Sequence, residues 1–122
     1  MEVPHPQGFP PEFRMTYASE FRRARLGGRK THTPHFLIYS LKKVDGPSRL
    51  GLTVSRKVGG AVVRNRVKRL LREIFRRWND RLPFELDISI IAKPGSGTLL
   101  LSQIQEELSI IFRLNSWEMP HD

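Results

Sequence analysis

Apolar residues along this chain recur at two periods, and each change of period marks a new element. Residues 36–43, FLIYSLKK, are rich in β-branched and aromatic side chains and read as a strand. In RLGLTVSRKV, residues 49–58, Leu50, Leu52 and Val54 point one way while Thr53, Ser55 and Lys57 point the other. The turn VDGPS lies between the two runs, which predicts a hairpin or meander. After Gly59-Gly60 the period becomes helical from 61 to about 78. NDRLPFE is a loop, LDISIIAK (86–93) an apolar strand buried on at least one face, and PGSG a tight turn. Ser102 is a candidate N-cap for QIQEELSIIFRL, a final helix with Ile104, Leu108, Ile111 and Phe112 on one side. Upstream, TYASEFRRARLGG is a short helix, capped by Thr16 or Ser19 and ended by Gly27-Gly28, with Tyr17, Phe21 and Ala24 on one face. RKTHTPH (29–35) reads as a polar connection. The predicted class is α+β, a small sheet of three to four strands packed with three helices in the order α-β-β-(β)-α-β-α.

Four prolines within residues 1–13 predict a flexible or extended tail. Residues 14–115 then form a single domain, followed by a short C-terminal tail at 116–122.

The segment AVVRNRVKRLLREIFRRW (61–78) sharpens this picture, because it is both apolar and cationic. At ~100° per residue, Val63, Val67, Leu70, Leu71, Ile74, Phe75 and Trp78 share one broad arc. Asn65, Lys68, Arg69, Arg72 and Arg76 share the opposite arc, with Arg64, Arg66 and Arg77 on the borders. One face docks on the sheet and the other carries a stripe of guanidinium groups. A solvated face normally mixes its signs, yet here Glu73 alone opposes seven cations. Like charges at i,i+4, such as Lys68/Arg72 and Arg72/Arg76, cost a few tenths of a kcal/mol each, which an anionic partner would offset. Arginine's planar fork suits phosphate.

Composition points the same way. The 122 residues carry a formal net charge of +9, a balance that favours a polyanion, nucleic acid before an acidic membrane. A membrane-surface helix fits less well, since the apolar arc with Phe75 and Trp78 is needed for the core. There is no cysteine, so disulfides, thiolate metal sites and Cys nucleophiles are excluded. No apolar run approaches the ~20 residues that cross a bilayer. The start, MEVPHPQGFPPEF, lacks the basic and apolar regions of a secretory signal, so the cytoplasm is the expected location.

Protein catalysis finds little support in the residues. The histidines, His5, His32, His35 and His121, fall in loops or tails without metal-ligand spacing, and His32-Thr-Pro-His35 reads as an incidental turn-like pair. Asp45, Asp80 and Asp87 are scattered, and Glu106 and Glu107 face different directions. A protein nuclease needs clustered carboxylates or a histidine base.

The run RLGLTVSRKVGGAVVRNRVKRLLREIF (49–75) closely resembles the signature of the protein subunit of bacterial ribonuclease P, with RNRVKRLLRE matching that family's RNR motif. SEFRRARLGG, HFLIYSL, DISIIAKPG and LSQIQEELSIIF resemble the family's first helix, first strand, later strand and last helix, so the likeness spans roughly residues 13 to 115. It implies a cofactor protein that binds a catalytic RNA subunit and the 5′ leader of precursor tRNA, assisting removal of the leader by phosphodiester hydrolysis. By match of position, Arg64, Asn65, Arg66, Lys68, Arg69 and Arg72 are implied RNA contacts, and Arg76 continues their stripe. Phe21 and Tyr39 match aromatics of a leader-binding cleft, with Ser55, Arg56 and Lys57 at the strand end nearby and Thr53 on the same strand face. Catalytic Mg²⁺ is implied to be held mainly by the RNA, with no catalytic residue and no metal ligand on the protein, and no obligate protein partner or membrane. The resemblance also implies a left-handed β-α-β crossover, against the usual right-handed rule.

Two departures stand out. Arg25 occupies the place where many members carry a second cleft aromatic, so weaker stacking is expected there, with charge or cation–π contact substituting. The proline-rich start is unlike the short basic start common in the family. Asn65 has two readings, a ligand to phosphate or hydrated Mg²⁺ and a plain polar residue near a helix start. Phe21 and Tyr39 likewise read either as stacking platforms or as core. The rival functional reading is a non-catalytic RNA-binding protein such as a small ribosomal component.

Overall fold

The two strands flanking VDGPS form where alternation predicts them, but they do not pair with each other. The computed structural model describes residues 13–15, 18–43, 46–82 and 85–112. Its elements run α1 (Ala18–Gly27), β1 (Arg29–His32), β2 (Phe36–Lys42), β3 (Arg49–Thr53), α2 (Ala61–Trp78), β4 (Leu86–Ala92) and α3 (Leu101–Phe112). Residues 1–12 of the predicted tail, Thr16, Tyr17 and the tail at 116–122 lie outside the described residues.

The sheet order is β1-β2-β4-β3. β4 lies antiparallel to β2, from Phe36↔Ala92 to Lys42↔Leu86, and parallel to β3, from Arg49↔Asp87 to Thr53↔Ile91. The expected β2/β3 hairpin is therefore replaced by a split pair with β4 inserted. The reason is burial. LDISIIA is buried at six of its seven positions, so it belongs in the sheet interior with a neighbour on each side. A parallel neighbour needs a long crossover, and α2 supplies it. This β3–α2–β4 unit is the connection for which the family resemblance implies the left-handed sense.

Two further expectations change. Residues 29–32, read as connection, form the edge strand β1, paired antiparallel with β2 from Arg29↔Ser40 to His32↔Leu37. A short, basic, exposed strand suits an edge, where it discourages pairing with another chain. β3 stops at Thr53 instead of running to 58; the Val58 N–H donates to the Ser55 carbonyl at 3.0 Å and closes a turn.

One sheet face carries Phe36, Ile38, Leu50, Ile88, Ile90 and Ala92, which pack with Val67, Leu71, Ile74 and Phe75 of α2 and Ile104, Leu108 and Ile111 of α3. The other face carries α1, which packs on β2 and β4. Ala24 is fully buried there, and a Cβ at Gly28 would lie 2.4 Å from the Ala24 carbonyl oxygen and 2.7 Å from that of Ser40. Only glycine permits that approach of helix end to strand. Ser102 does not cap α3, nor does Ser19 cap α1, since each lies inside its helix. Instead, the Leu100 N–H donates to Gln103 Oε1 at 2.7 Å, the reciprocal half of a capping box. Phe13 stacks edge-on against Phe75 (6.1 Å between centroids), and Arg14 bridges to Leu50, so the chain before α1 runs beside β3 and touches α2.

Candidate nucleic-acid interface

α2 divides along its length as the wheel predicts. Val67, Leu71, Ile74 and Phe75 are buried, and Leu70 and Trp78 pack partly buried against them. Asn65, Arg69, Arg76 and Arg77 are exposed, while Lys68 and Arg72 are half-buried, Arg72 near Arg14 although the wheel sets it well inside the outer arc. Lys68 and Arg69 hold no ion pair or hydrogen bond with any described residue. Burial, and then the nearby Arg14 guanidinium, lower the Arg72 pKa from its ordinary value. A partly desolvated guanidinium beside a second one is electrostatically strained in the free protein, and a phosphate would relieve it.

The border arginines are committed to backbone. Arg66 donates from Nη2 to the Leu99 carbonyl at 2.8 Å and from Nη1 to that of Gly97 at 3.3 Å. Arg64 donates from Nε to the Gly59 carbonyl at 3.1 Å. Each guanidinium carries five N–H groups, so these bonds fix its plane and leave other donors. The far end of the row is partly neutralised. Arg76 and Arg77 both pair with Glu73, the latter at 2.8 Å. The Arg76 hydrogen bond, opposed by burial and reinforced by Arg77, holds the Glu73 carboxyl below its usual pKa. The phosphate-seeking stretch is thus Lys68–Arg72 more than Arg76. At the amino end of α2, no acid sits in the first turn and no side chain caps it. Gly59 and Gly97 both press on Val63, where an added Cβ would lie 2.8 and 2.6 Å from its methyls.

The second surface is the part of the α1-side sheet face that α1 leaves open. Here Tyr39 lies opposite Lys30 and Ser89, and Leu37, Ile91 and Thr53 form the next row. Tyr39, Leu37, Ile91 and Thr53 are half-exposed, whereas Ser89 and Gly51 under the helix are buried. Lys30 Nζ lies 6.0 Å from the Tyr39 ring centroid, an outer-limit cation–π contact. Tyr39 is thus neither core nor freely exposed. Ser55, Arg56 and Lys57 are exposed in the turn after β3, and the Ser55 Oγ accepts from the Lys57 N–H at 3.3 Å. That turn carries them off the strand face on which alternation had set Ser55 and Lys57. Positions 21 and 25 lie on α1; the side chains of Phe21 and Arg25 lie outside the description.

In the His32-Thr-Pro-His35 turn, Thr33 and His35 are tied to α3, and His32 takes no part in that tether. Glu107 Oε1 accepts from Thr33 Oγ1 (2.7 Å) and the His35 N–H (2.9 Å), and Oε2 lies 2.6 Å from His35 Nδ1. Burial raises the Glu107 pKa, but the bonds from His35 and Thr33 outweigh it and hold the carboxyl below its usual value. This ties the β1–β2 turn to α3. Among the described residues no three His, Asp or Glu side chains converge to hold a metal ion.

The family model for Ribonuclease P matches residues 9–114. The chain is 44% identical over 104 residues to the ribonuclease P protein component of Geobacter sp. (strain M21), covering 85% of this chain and 89% of that protein. It is 45% identical over 105 residues to the component from Citrifermentans bemidjiense, again covering 85% and 89%. In three dimensions it matches the RNase P protein from Thermotoga maritima with a TM-score of 0.73 at 29% identity, covering 83% of this chain and 96% of that one. The Staphylococcus aureus RNase P protein matches at 0.73 and 30%, covering 81% and 91%. The chain belongs to the ribonuclease P protein family. A ribonuclease P protein is a subunit of the endoribonuclease that hydrolyses tRNA precursors, and the ribosomal reading is not favoured.

Membership in the ribonuclease P family covers the whole described domain, not the motif alone. Sequence reasoning missed Arg14 beside Arg72, and no local pattern would have found it, because the contact depends on the chain pairing with β3. It also missed the Glu107 tether; a carboxylate bordering the apolar row of α3, three residues after Ile104 and four before Ile111, was its only signal.

Proposed function

We propose that the outer row of α2 seats the catalytic RNA subunit of ribonuclease P, and that the open part of the α1-side sheet face seats the 5′ leader of precursor tRNA. Lys68, Arg69 and Arg72 meet phosphates, Asn65 hydrogen-bonds among them, and Arg64 and Arg66 present the donors left over from their backbone bonds. Arg76 joins at the cost of its pair with Glu73. Tyr39 offers a stacking face, Thr53 a hydroxyl, and Arg56 and Lys57 charge at the end of the cleft. Phe21 and Arg25 join the cleft on the family resemblance. Residues 14–115 act as one RNA-binding domain.

The protein supplies grip and electrostatics, and the reacting groups belong to the RNA. Mg²⁺ is assigned to the RNA subunit on the family resemblance. Among the described residues no helix is long and apolar enough to cross a membrane. The cytoplasmic location and the lack of an obligate protein partner rest on the family resemblance.

The observation that carries this reading is the one-sided α2, with Lys68 and Arg69 unpaired among the described residues on the side opposite the buried Val67, Leu71, Ile74 and Phe75. The test mixes protein and RNA subunit at low Mg²⁺ and follows leader release. Release should rise with protein, affinity for precursor should rise with leader length, and protein alone should cleave nothing. Release that ignores the protein at every salt concentration would refute the assignment.

A further inference from the structure

On the α1-side sheet face, the end opposite the leader cleft holds a second groove. Its lining includes Arg23 of α1, Leu41 and Lys42 of β2, Lys43, Arg49 of β3 and Asp87 of β4. Asp87 is almost fully buried, and two cations are fastened to it. Arg49 grips it with both prongs, Nε to Oδ1 at 3.0 Å and Nη2 to Oδ2 at 2.8 Å, and Lys43 Nζ lies 3.3 Å from Oδ1. Among the described lining residues the cations on this face, Arg23, Lys43 and Arg49, outnumber the one carboxylate by two, while Lys42, opposite Leu86, falls on the alternate face of β2.

This groove is separate from both surfaces above. α2 lies on the opposite sheet face. On β2 the groove at Leu41 lies two residues from Tyr39 and four from the Leu37 row of the cleft, about 7 and 13 Å at ~3.3 Å per residue. Ser89 and Gly51 lie buried between the two ends, where α1 crosses the sheet.

We propose that this groove is a further phosphate seat for structured RNA, rather than for the single-stranded leader. The inference extends the RNA-binding reading but rests on different residues. The buried Asp87 orients Arg49 and Lys43 before any ligand arrives, so little side-chain freedom is lost on binding. Arg23 stands exposed at the rim, where it meets an anion first. An acidic protein segment fits less well. Protein interfaces are anchored by buried aromatic or aliphatic side chains, and Leu41 is the single large apolar residue in the lining.

The test uses the full chain with Arg23→Ala. Binding is measured across a salt series to the RNA subunit and, in the assembled holoenzyme, to precursor tRNA. The log-log salt slope should flatten by about one unit in one of these two arms, which also says which RNA fills the groove. The thermal midpoint should stay in place; should it fall, Arg23→Glu at its exposed helical position gives the same readout. Slopes unchanged in both arms overturn the proposal and leave the groove to a protein partner. Arg69→Ala run alongside separates the two ideas: if it changes nothing while the groove variant flattens the slope, the α2 assignment fails and the groove stands.

Discussion

Leu71→Ala tests the division of labour along α2 from its buried side. Leu71 is fully buried, surrounded by Ile38 and Leu50 of the sheet, Phe75 of its own helix, Ile88 and Ile90 of the central strand, and Leu108 and Ile111 of α3. The substitution removes three carbons, and at ~0.8 kcal/mol per buried methylene the transfer loss alone is about 2.4 kcal/mol. The new space opens between a sheet and two helices whose backbones are held by hydrogen bonds, and it joins a small void already bounded by the same side chains. Collapse is therefore incomplete and a cavity contribution adds, giving about 3–5 kcal/mol. That is a large part of the ~5–15 kcal/mol by which a domain is stable. Urea unfolding followed by far-ultraviolet circular dichroism should show a lower midpoint with an unchanged slope. RNA affinity, measured well below the variant's melting temperature, should match the parent. A loss under ~1 kcal/mol would refute the packing argument. A fall in affinity at full folding would refute the claim that this side of the helix faces only protein.

Arg69→Ala should do the reverse: the log-log salt slope for RNA binding flattens by about one unit, and the thermal midpoint barely moves. Arg49→Met leaves the buried Asp87 carboxylate with Lys43 alone and should cost about 3 kcal/mol in urea unfolding; adding Asp87→Leu should restore most of it, because the expense lies in the uncompensated charge. Glu107 has a folded pKa below its unfolded value, so its contribution is fully present above the unfolded pKa and disappears as pH falls through the folded one. Thermal midpoints from about pH 7 to about pH 3 should therefore fall less steeply at the acid end in Glu107→Gln than in the parent. Parallel curves would remove Glu107 from the acid response.

What the amino-acid order determines by itself is the local periodicity and the charge it carries. Val67, Leu71 and Ile74 recur at helical spacing, so the helix and its buried face follow from chain geometry, and the cations fall on the far side for the same reason. The family likeness is also a property of contiguous residues, chiefly 49–75. Tertiary structure decided everything that depends on which elements become neighbours. Two adjacent alternating strands look like a hairpin, but LDISIIA must be covered on both faces and displaces that pairing. The polar RKTH becomes a strand because β2 offers it a free edge. The same rearrangement sets Arg49 directly opposite Asp87, and the pairing of Arg14 with Leu50 brings its guanidinium toward Arg72. Periodicity reports which side of an element is apolar, whereas charge pairs across a sheet arise from register between segments tens of residues apart, and a one-dimensional pattern carries no register.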